Sequence, residues 1–463
     1  MLGAFQGLDI GKRALLSHQY DLTTIGHNIA NANTPGYSRQ RLSLTTNDPY
    51  VSTIGTFGTG VRVNTVQQIR DIFLTNQYRE GNAGLGRWSQ RQRAMTEVEN
   101  IFLEPSDTGF NSALSEFFDT WHTLSQNPES SAGRAAVREQ AALVINSFHQ
   151  LARRLDDLEA SLNDEIGGRV DDINRLAANL AELNKQIGRQ ELGGDTANDL
   201  RDRRDQMIDE LSRKVDINVI PEKNGVVRIF VGTMELVEKG SFSPIGTELT
   251  FQNQMKRTAV VWQGTSNSIS FNGGELAGLT ESRDQLVTEY RDMLNELTAA
   301  FVTEINNLHV SGYALDGTTG HYFFDPNGLT ADQIALAPDI TSDLNNIAAS
   351  QSGGPGDNAN SIAIANLQNA LVLSNGTSTF NDFFAGLTGM VGVRSAEATD
   401  AATNADLVLQ QVEFSRQSVQ GVSLDEEMAN LIKAQHAYDA AARVITAMDS
   451  ALDTIINDMG VSY

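Results

Sequence analysis

The sequence predicts a mainly α chain with a smaller β part: terminal helices that pair as a coiled coil, and a long helical rod domain carrying a β-rich insertion. Apolar residues recur every seventh position near both chain ends, a four-and-three apolar ladder runs through the middle, and residues 216–275 switch to β-branched residues between turn signals.

Leu8, Leu15, Leu22 and Ile29 stand seven residues apart, with Ala4, Ile25 and Ala32 at intervening positions, so the N-terminal segment reads as one amphipathic helix. It ends at Asn31-Ala-Asn-Thr-Pro-Gly36, where Pro35 and Gly36 suit the centre of a type II turn and Thr34 is steered away from helix. Residues 39–45 and 60–69 alternate polar and apolar side chains, which predicts two strands beside that helix. A helix from about Asp71 to Leu103 leads through Pro105 to another around Ser112 to Leu124.

Val137, Ala141, Val144, Phe148, Leu151, Leu155, Leu158 and Leu162 then step four, three, four, three, the period of a coiled-coil seam. Beyond Leu162 the steps become four and four through Ile166 to Val170, a stutter coinciding with Gly167-Gly168 that predicts a bend or break. Ile173, Leu180, Leu183 and Ile187 resume the ladder, so a rod of ~75 Å is expected.

The β signals are Val226-Val-Arg-Ile-Phe-Val231 and Ala259-Val-Val-Trp262, with turns at Asn224-Gly225 and Asn272-Gly273-Gly274. Helical spacing returns in Leu279, Leu286, Tyr290, Leu294, Leu297, Phe301, Ile305 and Leu308, before a Gly- and Asn-rich, loop-rich excursion over 311–360. Phe384, Leu387, Val391, Ala398, Ala401, Ala405, Val408, Val412 and Val419 form another ladder. In the last helix Ser423 and Glu426 are placed for a reciprocal capping box, and Leu424, Met428, Leu431, Tyr438, Ala442, Ile445, Leu452, Ile456 and Met459 share a heptad frame interrupted by Gln435 and Asp449. The expected organisation is concentric: 1–36 with 421–463 as a terminal helical domain, 37–215 with 276–420 as the rod domain, 216–275 as the β-rich insertion, and 311–360 as a candidate part of an outer domain.

The chain of 463 residues carries a formal charge of −24 without a basic cluster, which argues against nucleic acid as a partner. No apolar run approaches the roughly 20 residues of a membrane span, and the N-terminus lacks the pattern of a cleavable signal, so neither a membrane anchor nor an ordinary secretion signal is expected. The absence of cysteine excludes disulfides, thiolate metal sites and cysteine nucleophiles.

His18 and His27 are too far apart in the first helix for a ligand pair, and no carboxylate pattern completes a metal site. Asp316-Gly-Thr-Thr-Gly-His321 and Gly55-Thr-Phe-Gly-Thr-Gly60 lack the lysine and the strand-to-helix context of a phosphate loop, and Asp325-Pro-Asn-Gly328 lacks the ligand pattern of a calcium loop. All three read as turns. With no nucleophile elbow either, the expectation is no catalytic residue, no cofactor and no metal.

Each terminal helix instead carries an apolar stripe too long to leave in water, so the ends need each other or neighbouring subunits. Periodicity alone is equally compatible with an intramolecular bundle whose ends are tucked in. The first fifty residues hold four basic and three acidic side chains and residues 422–463 seven acidic and two basic, so pairing of the ends is electrostatically permitted. Asn28, Asn31 and Asn33 can either bond across subunits or stop the first helix in a turn; stopping is the simpler reading.

The stretch Asp21-Leu-Thr-Thr-Ile-Gly-His-Asn-Ile-Ala-Asn-Ala-Asn-Thr-Pro-Gly-Tyr-Ser-Arg-Gln40 closely resembles the N-terminal signature of flagellar rod, hook and hook-associated proteins. Gly36-Tyr-Ser-Arg-Gln40, Gly421-Val-Ser-Leu-Asp-Glu-Glu-Met-Ala-Asn-Leu-Ile432 with Gln435 and Ala437-Tyr438, and Ile305-Asn-Asn-Leu-His309 followed by Gly312-Tyr are most similar to the hook-associated protein 1 family. Residues 311–360 are short for the outer domain that larger members carry.

The resemblance implies a non-catalytic subunit of the first hook–filament junction zone, exported unfolded through the flagellar type III channel and acting extracellularly. Implied partners are identical subunits, the hook protein, the second junction protein, the filament cap protein during assembly, and an export chaperone on the C-terminal helix; the resemblance also implies that both terminal helices stay disordered until assembly. The implied assembly residues are Leu8, Leu15, Leu22, Ile25, Ile29, Asn28, Asn31 and Asn33 in the first helix. Leu424, Met428, Leu431, Tyr438, Ile445, Leu452 and Ile456 are the implied assembly and chaperone-binding residues in the last. A hook or distal rod subunit is the alternative within the superfamily; a cytoplasmic coiled-coil scaffold or a flagellum-attached wall hydrolase are the alternatives outside it.

Overall fold

The computed structural model describes residues 2–102, 109–252, 255–265 and 268–458; Leu103, Pro105, Met459 and the side chain of Ala4 lie outside that description. Helix α1 (Leu2–Ala30) stops at the Pro-Gly turn, where the Tyr37 amide donates to the Thr34 carbonyl at 3.2 Å and Gly36 takes φ +78, as a type II turn requires. Strands β1 (Gln40–Thr46) and β4 (Val61–Gln68) pair antiparallel, with Gln40 opposite Gln68, and the ribbon continues into β2 (Tyr50–Ser52) and β3 (Gly55–Phe57). A Cβ at Gly60 would stand 3.5 Å from the Ile10 backbone, so the ribbon runs back along α1.

Helix α2 (Ile72–Ile101) is capped by Asp71, whose carboxylate accepts from the amides of Phe73 and Leu74 at 2.8 and 3.2 Å. Helix α3 (Phe110–Gln126) follows, and then α4 (Ser131–Glu191), which runs unbroken for 61 residues, or ~90 Å. The expected break at Gly167-Gly168 is absent. Both glycines face open space, while Ile166, Val170 and Ile173 keep the inner face buried across the stutter. A stutter unwinds a supercoil only where one partner helix must be followed. Here α4 packs in succession on α3, on α5 (Asn198–Lys214) and on β strands, so no supercoil has to be maintained.

A four-stranded antiparallel sheet, ordered β5 (Asn218–Pro221), β6 (Val227–Val231), β7 (Met234–Glu238) and β8 (Ser241–Phe242), lies against α4, followed by the hairpin β9 (Ile245–Gln252) and β10 (Met255–Trp262). Buried Ile229, Val231, Leu236 and Val237 join the apolar core of the helices, so the insertion shares one core with the body. Helix α6 (Gly274–Glu281) passes through a π-helical turn (Ser282–Val287) into α7 (Thr288–Ser311). Where α6 crosses α2, a Cβ on Gly278 would lie 2.4 Å from the Arg87 carbonyl oxygen, a separation only glycine permits.

The 311–360 excursion folds inward. Phe323 and Phe324 are fully buried against Phe117, Trp121 and Phe301, and Ile334, Ile340 (in α8, Pro338–Ser342) and Ile347 follow them into the core. After α9 (Ala359–Asn366), helix α10 (Phe380–Gln420) opens on a full capping box between Thr379 and Asp382 and packs along α2. Its expected ladder is buried at Phe384, Leu387, Val391, Ala398 and Val412, but beyond Ala398 the inner face also moves to Ala402 and Leu409, and Val408 and Val419 are exposed, because a straight helix turns at about 3.6 residues and not 3.5. Helix α11 (Leu424–Asp453) closes the chain; Ser423 caps the Glu426 amide at 3.5 Å, but the Glu426 carboxylate goes to Arg39 and not back to Ser423, so the expected box is half made.

Candidate assembly site at the joined chain ends

Helices α1 and α11 pack antiparallel. Met448 covers Gly7, Ile445 covers Gly11, and Glu427 reaches Asn28. A Cβ at Gly7 or Gly11 would come within 2.9 Å of those side chains, so the two glycines set how closely the helices approach. Ile25 is buried, and Leu8, Leu15, Leu22 and Ile29 are half-buried. On α11 the covered positions are Glu427, Leu431, Ala434, Tyr438, Ala441, Ile445 and Leu452, which step four and three. Of the residues expected in its seam, Leu424 and Met428 are each 49% and Ile456 63% exposed. Ala434 and Ala441 take the inward places that the expected frame assigned to Gln435 and Ala442, because short side chains suit the close approach.

Asn28 joins the ends. Its side-chain amide donates to the Gln40 carbonyl at 2.9 Å and to Glu427 Oε2 at 3.0 Å, and its Oδ1 accepts from the Tyr37 hydroxyl at 2.7 Å and the Gln40 amide at 2.9 Å. With the side chain 1% exposed, both donors and the acceptor are satisfied without water. Glu427, also 1% exposed, holds Arg39 Nη2 at 2.7 Å through its other oxygen, and Arg39 Nη1 holds Glu426 at 2.7 Å. Burial opposes the Arg39 charge, yet its bonds to Glu426 and Glu427 raise its pKa. Burial, with the charges of Asp199, Asp202 and Glu427, pushes the Tyr37 phenol up, so it stays a donor to Asn28 at neutral pH.

The same turn is tied to the body. Gln40 Nε2 donates to Asp199 at 2.9 Å and the Ser38 amide to Asp202 at 3.2 Å. Arg70 bonds Ser38 Oγ and Asp202, each at 2.9 Å, and also Asp205. Burial raises the Asp202 pKa against the pull of Arg70. Beyond them Arg79 and Arg416 share Asp209 at 2.9 and 2.6 Å, joining α2, α5 and α10.

Asn31 closes α1 by donating to the His27 carbonyl at 3.0 Å and accepting from the Thr34 hydroxyl, while Asn33 is exposed in the turn. His27 Nε2 lies 3.2 Å from Asp199 Oδ1 and Nδ1 3.3 Å from the Asn31 side-chain amide. Among the described residues no cluster of three or more His, Asp or Glu is placed to hold a metal. Gly7 and Gly11 carry no role in the sequence reading, although their four-residue step inside a helical pattern is a visible signal, and Tyr37, Arg39 and Glu427 enter it only as parts of family motifs and not as members of a clasp.

A helical body thus joins its two ends through a hydrogen-bonded clasp and a partly covered apolar pair. Residues 95–324 match the family model "Flagellar hook-associated protein FlgK helical domain", and residues 417–459 match "Flagellar basal body rod FlgEFG protein C-terminal". These define a structural component of the bacterial flagellum.

Flagellar hook-associated protein 1 of Bacillus subtilis (strain 168) is 36% identical over 505 aligned residues, covering 100% of this chain and 99% of that one. Its counterpart in Escherichia coli (strain K12) is 26% identical over 531, covering 95% and 97%. The chain therefore belongs to the flagellar hook-associated protein 1 (FlgK) family. A solved structure of the flagellar hook junction protein FlgK from Burkholderia pseudomallei shares the fold, with a TM-score of 0.67 at 15% identity over 74% of this chain and 100% of that one.

Proposed function

We propose that the chain is a non-catalytic building block of the first hook–filament junction zone, with the α1–α11 pair lining the inner wall, the long helices forming the next shell and β5–β10 facing outward. The observation that carries this reading is the Asn28–Glu427 clasp, which joins residues 399 apart in sequence and leaves Leu424, Met428 and Ile432 exposed along the paired ends. A neighbouring copy covers such a stripe at a gain of about 25 cal/mol per Å² of apolar surface. Leu8, Leu15, Leu22, Ile25 and Ile29 with Asn28, Asn31 and Asn33 form the N-terminal half of the site; Leu431, Tyr438, Ile445, Leu452 and Ile456 extend the C-terminal half.

On this reading the neighbours are the hook protein on one side and the second junction protein on the other, the filament cap protein acts during assembly, and an export chaperone grips α11 before the chain reaches the cell exterior. Deleting the gene tests it by electron microscopy of the cells and immunoblotting of their medium. Finished hooks without filaments, with flagellin lost to the medium, are the expected result. Truncated hooks point to a hook or distal rod subunit, and normal flagella overturn the reading.

A further inference from the structure

The tip of the β2–β3 ribbon exposes a cluster of apolar side chains. Tyr50, Val51, Ile54 and Phe57 are 45, 74, 83 and 44% exposed, and residues 47–60 hold Asp48 as their one charged side chain. On the stem, exposed Arg62 bonds the Thr45 hydroxyl at 3.3 Å and meets no carboxylate among the described residues. A second apolar patch lies on α10, where Leu407, Val408 and Phe414 are 58, 59 and 71% exposed and exposed Asp400, beyond its N-terminal edge, has no partner among the described residues.

We propose that the ribbon tip of one copy seats on the α10 patch of the next, with Arg62 against Asp400. The spacings are compatible: Phe57 to Arg62, through Gly60 at φ +93, spans at most ~16 Å, and Asp400 to Gln411, at the middle of the patch, spans ~16 Å of helix. The charges agree as well. A chain of −24 repels its own copies, so a contact between them is favoured where a nearly uncharged tip with a cationic stem meets an apolar patch with a free carboxylate. Tip and patch are different surfaces, so the contact is head-to-tail and propagates from copy to copy, as a tubular layer requires.

This inference rests on the flagellar reading, and its test separates the two. The chain has no cysteine, so Phe57→Cys with Gln411→Cys, the positions that this spacing sets opposite each other, introduces a unique pair. In oxidised, isolated flagella the double variant is expected to run as dimers and higher multiples while each single variant stays monomeric. Arg62→Asp is expected to cut the yield several-fold, and Asp400→Arg to restore it. Absence of the chain from flagella would overturn both readings. If the chain is present, four results would overturn the tip-to-patch contact alone: no cross-link in the double variant, dimers from Phe57→Cys by itself, capture of the tip by another flagellar protein, or no restoration by the charge swap.

Discussion

Replacing Glu427 by Ala removes the buried link from Asn28 and Arg39 to α11 without touching the body. The buried carboxylate accepts from Asn28 at 3.0 Å and from Arg39 at 2.7 Å. Losing a hydrogen bond to a charged group costs about 1.5–3 kcal/mol, and the stranded Asn28 donor, far from water, adds about 1–3 kcal/mol. Arg39 keeps Glu426, which holds the sum near the lower end, at about 3 kcal/mol, or roughly a hundredfold in the equilibrium that orders the ends. Glu427→Gln keeps an acceptor for Asn28 and loses only the charge opposite Arg39, so about 1 kcal/mol is expected. In a deletion strain complemented with each variant, filaments per cell should fall in the order wild type, Gln, Ala, with unattached flagellin rising in parallel. Asn28→Ala combined with Glu427→Ala should be no worse than the more damaging single change. Wild-type filament numbers in the Ala variant, or strictly additive effects, would refute the clasp.

Three further predictions concern the body and are read by thermal unfolding of the purified chain. Glu159, 5% exposed, bonds Arg257 at 3.0 Å and Arg291 at 2.6 Å, so Glu159→Ala should cost about 3 kcal/mol, the lower end because Arg291 keeps Asp156. Burial lowers the His309 pKa to about 4, below the free value of 6.5; the folded state therefore binds fewer protons, its contribution is complete above pH 6.5 and lost toward pH 4, on the order of 3 kcal/mol, and His309→Gln should flatten that window. Gly278→Ala should cost about 1–3 kcal/mol by forcing α6 off the Arg87 backbone, whereas Gly167→Ala, with nothing within 4 Å, should stabilise α4 by up to about 1 kcal/mol.

Elements governed by local chemistry were legible in the sequence. The Pro35-Gly36 turn, the β1–β4 ribbon and the heptad leucines of α1 follow from residues close to one another. Features set by distant partners were not. Glu427 looks like an acidic residue that favours a helix N-terminus until Asn28 and Arg39 are placed beside it. The inner face of α11 runs through Ala434 and Ala441, which a search for large apolar residues passes over, and their use depends on Gly7 and Gly11 across the pair. The unbroken course of α4 was hidden because the stutter rule presumes a partner helix. Residues 311–360 were read as an excursion from their Gly and Asn content, although adjacent Phe323 and Phe324 already indicated a segment that folds inward.

Electron cryomicroscopy of the hook–filament junction in isolated flagella tests the central claim most directly. The account predicts one layer of this chain between hook and filament, with α1 and α11 paired along the channel wall and β5–β10 on the outside. Terminal helices on the outer surface, or the chain distributed along the whole hook, would contradict it.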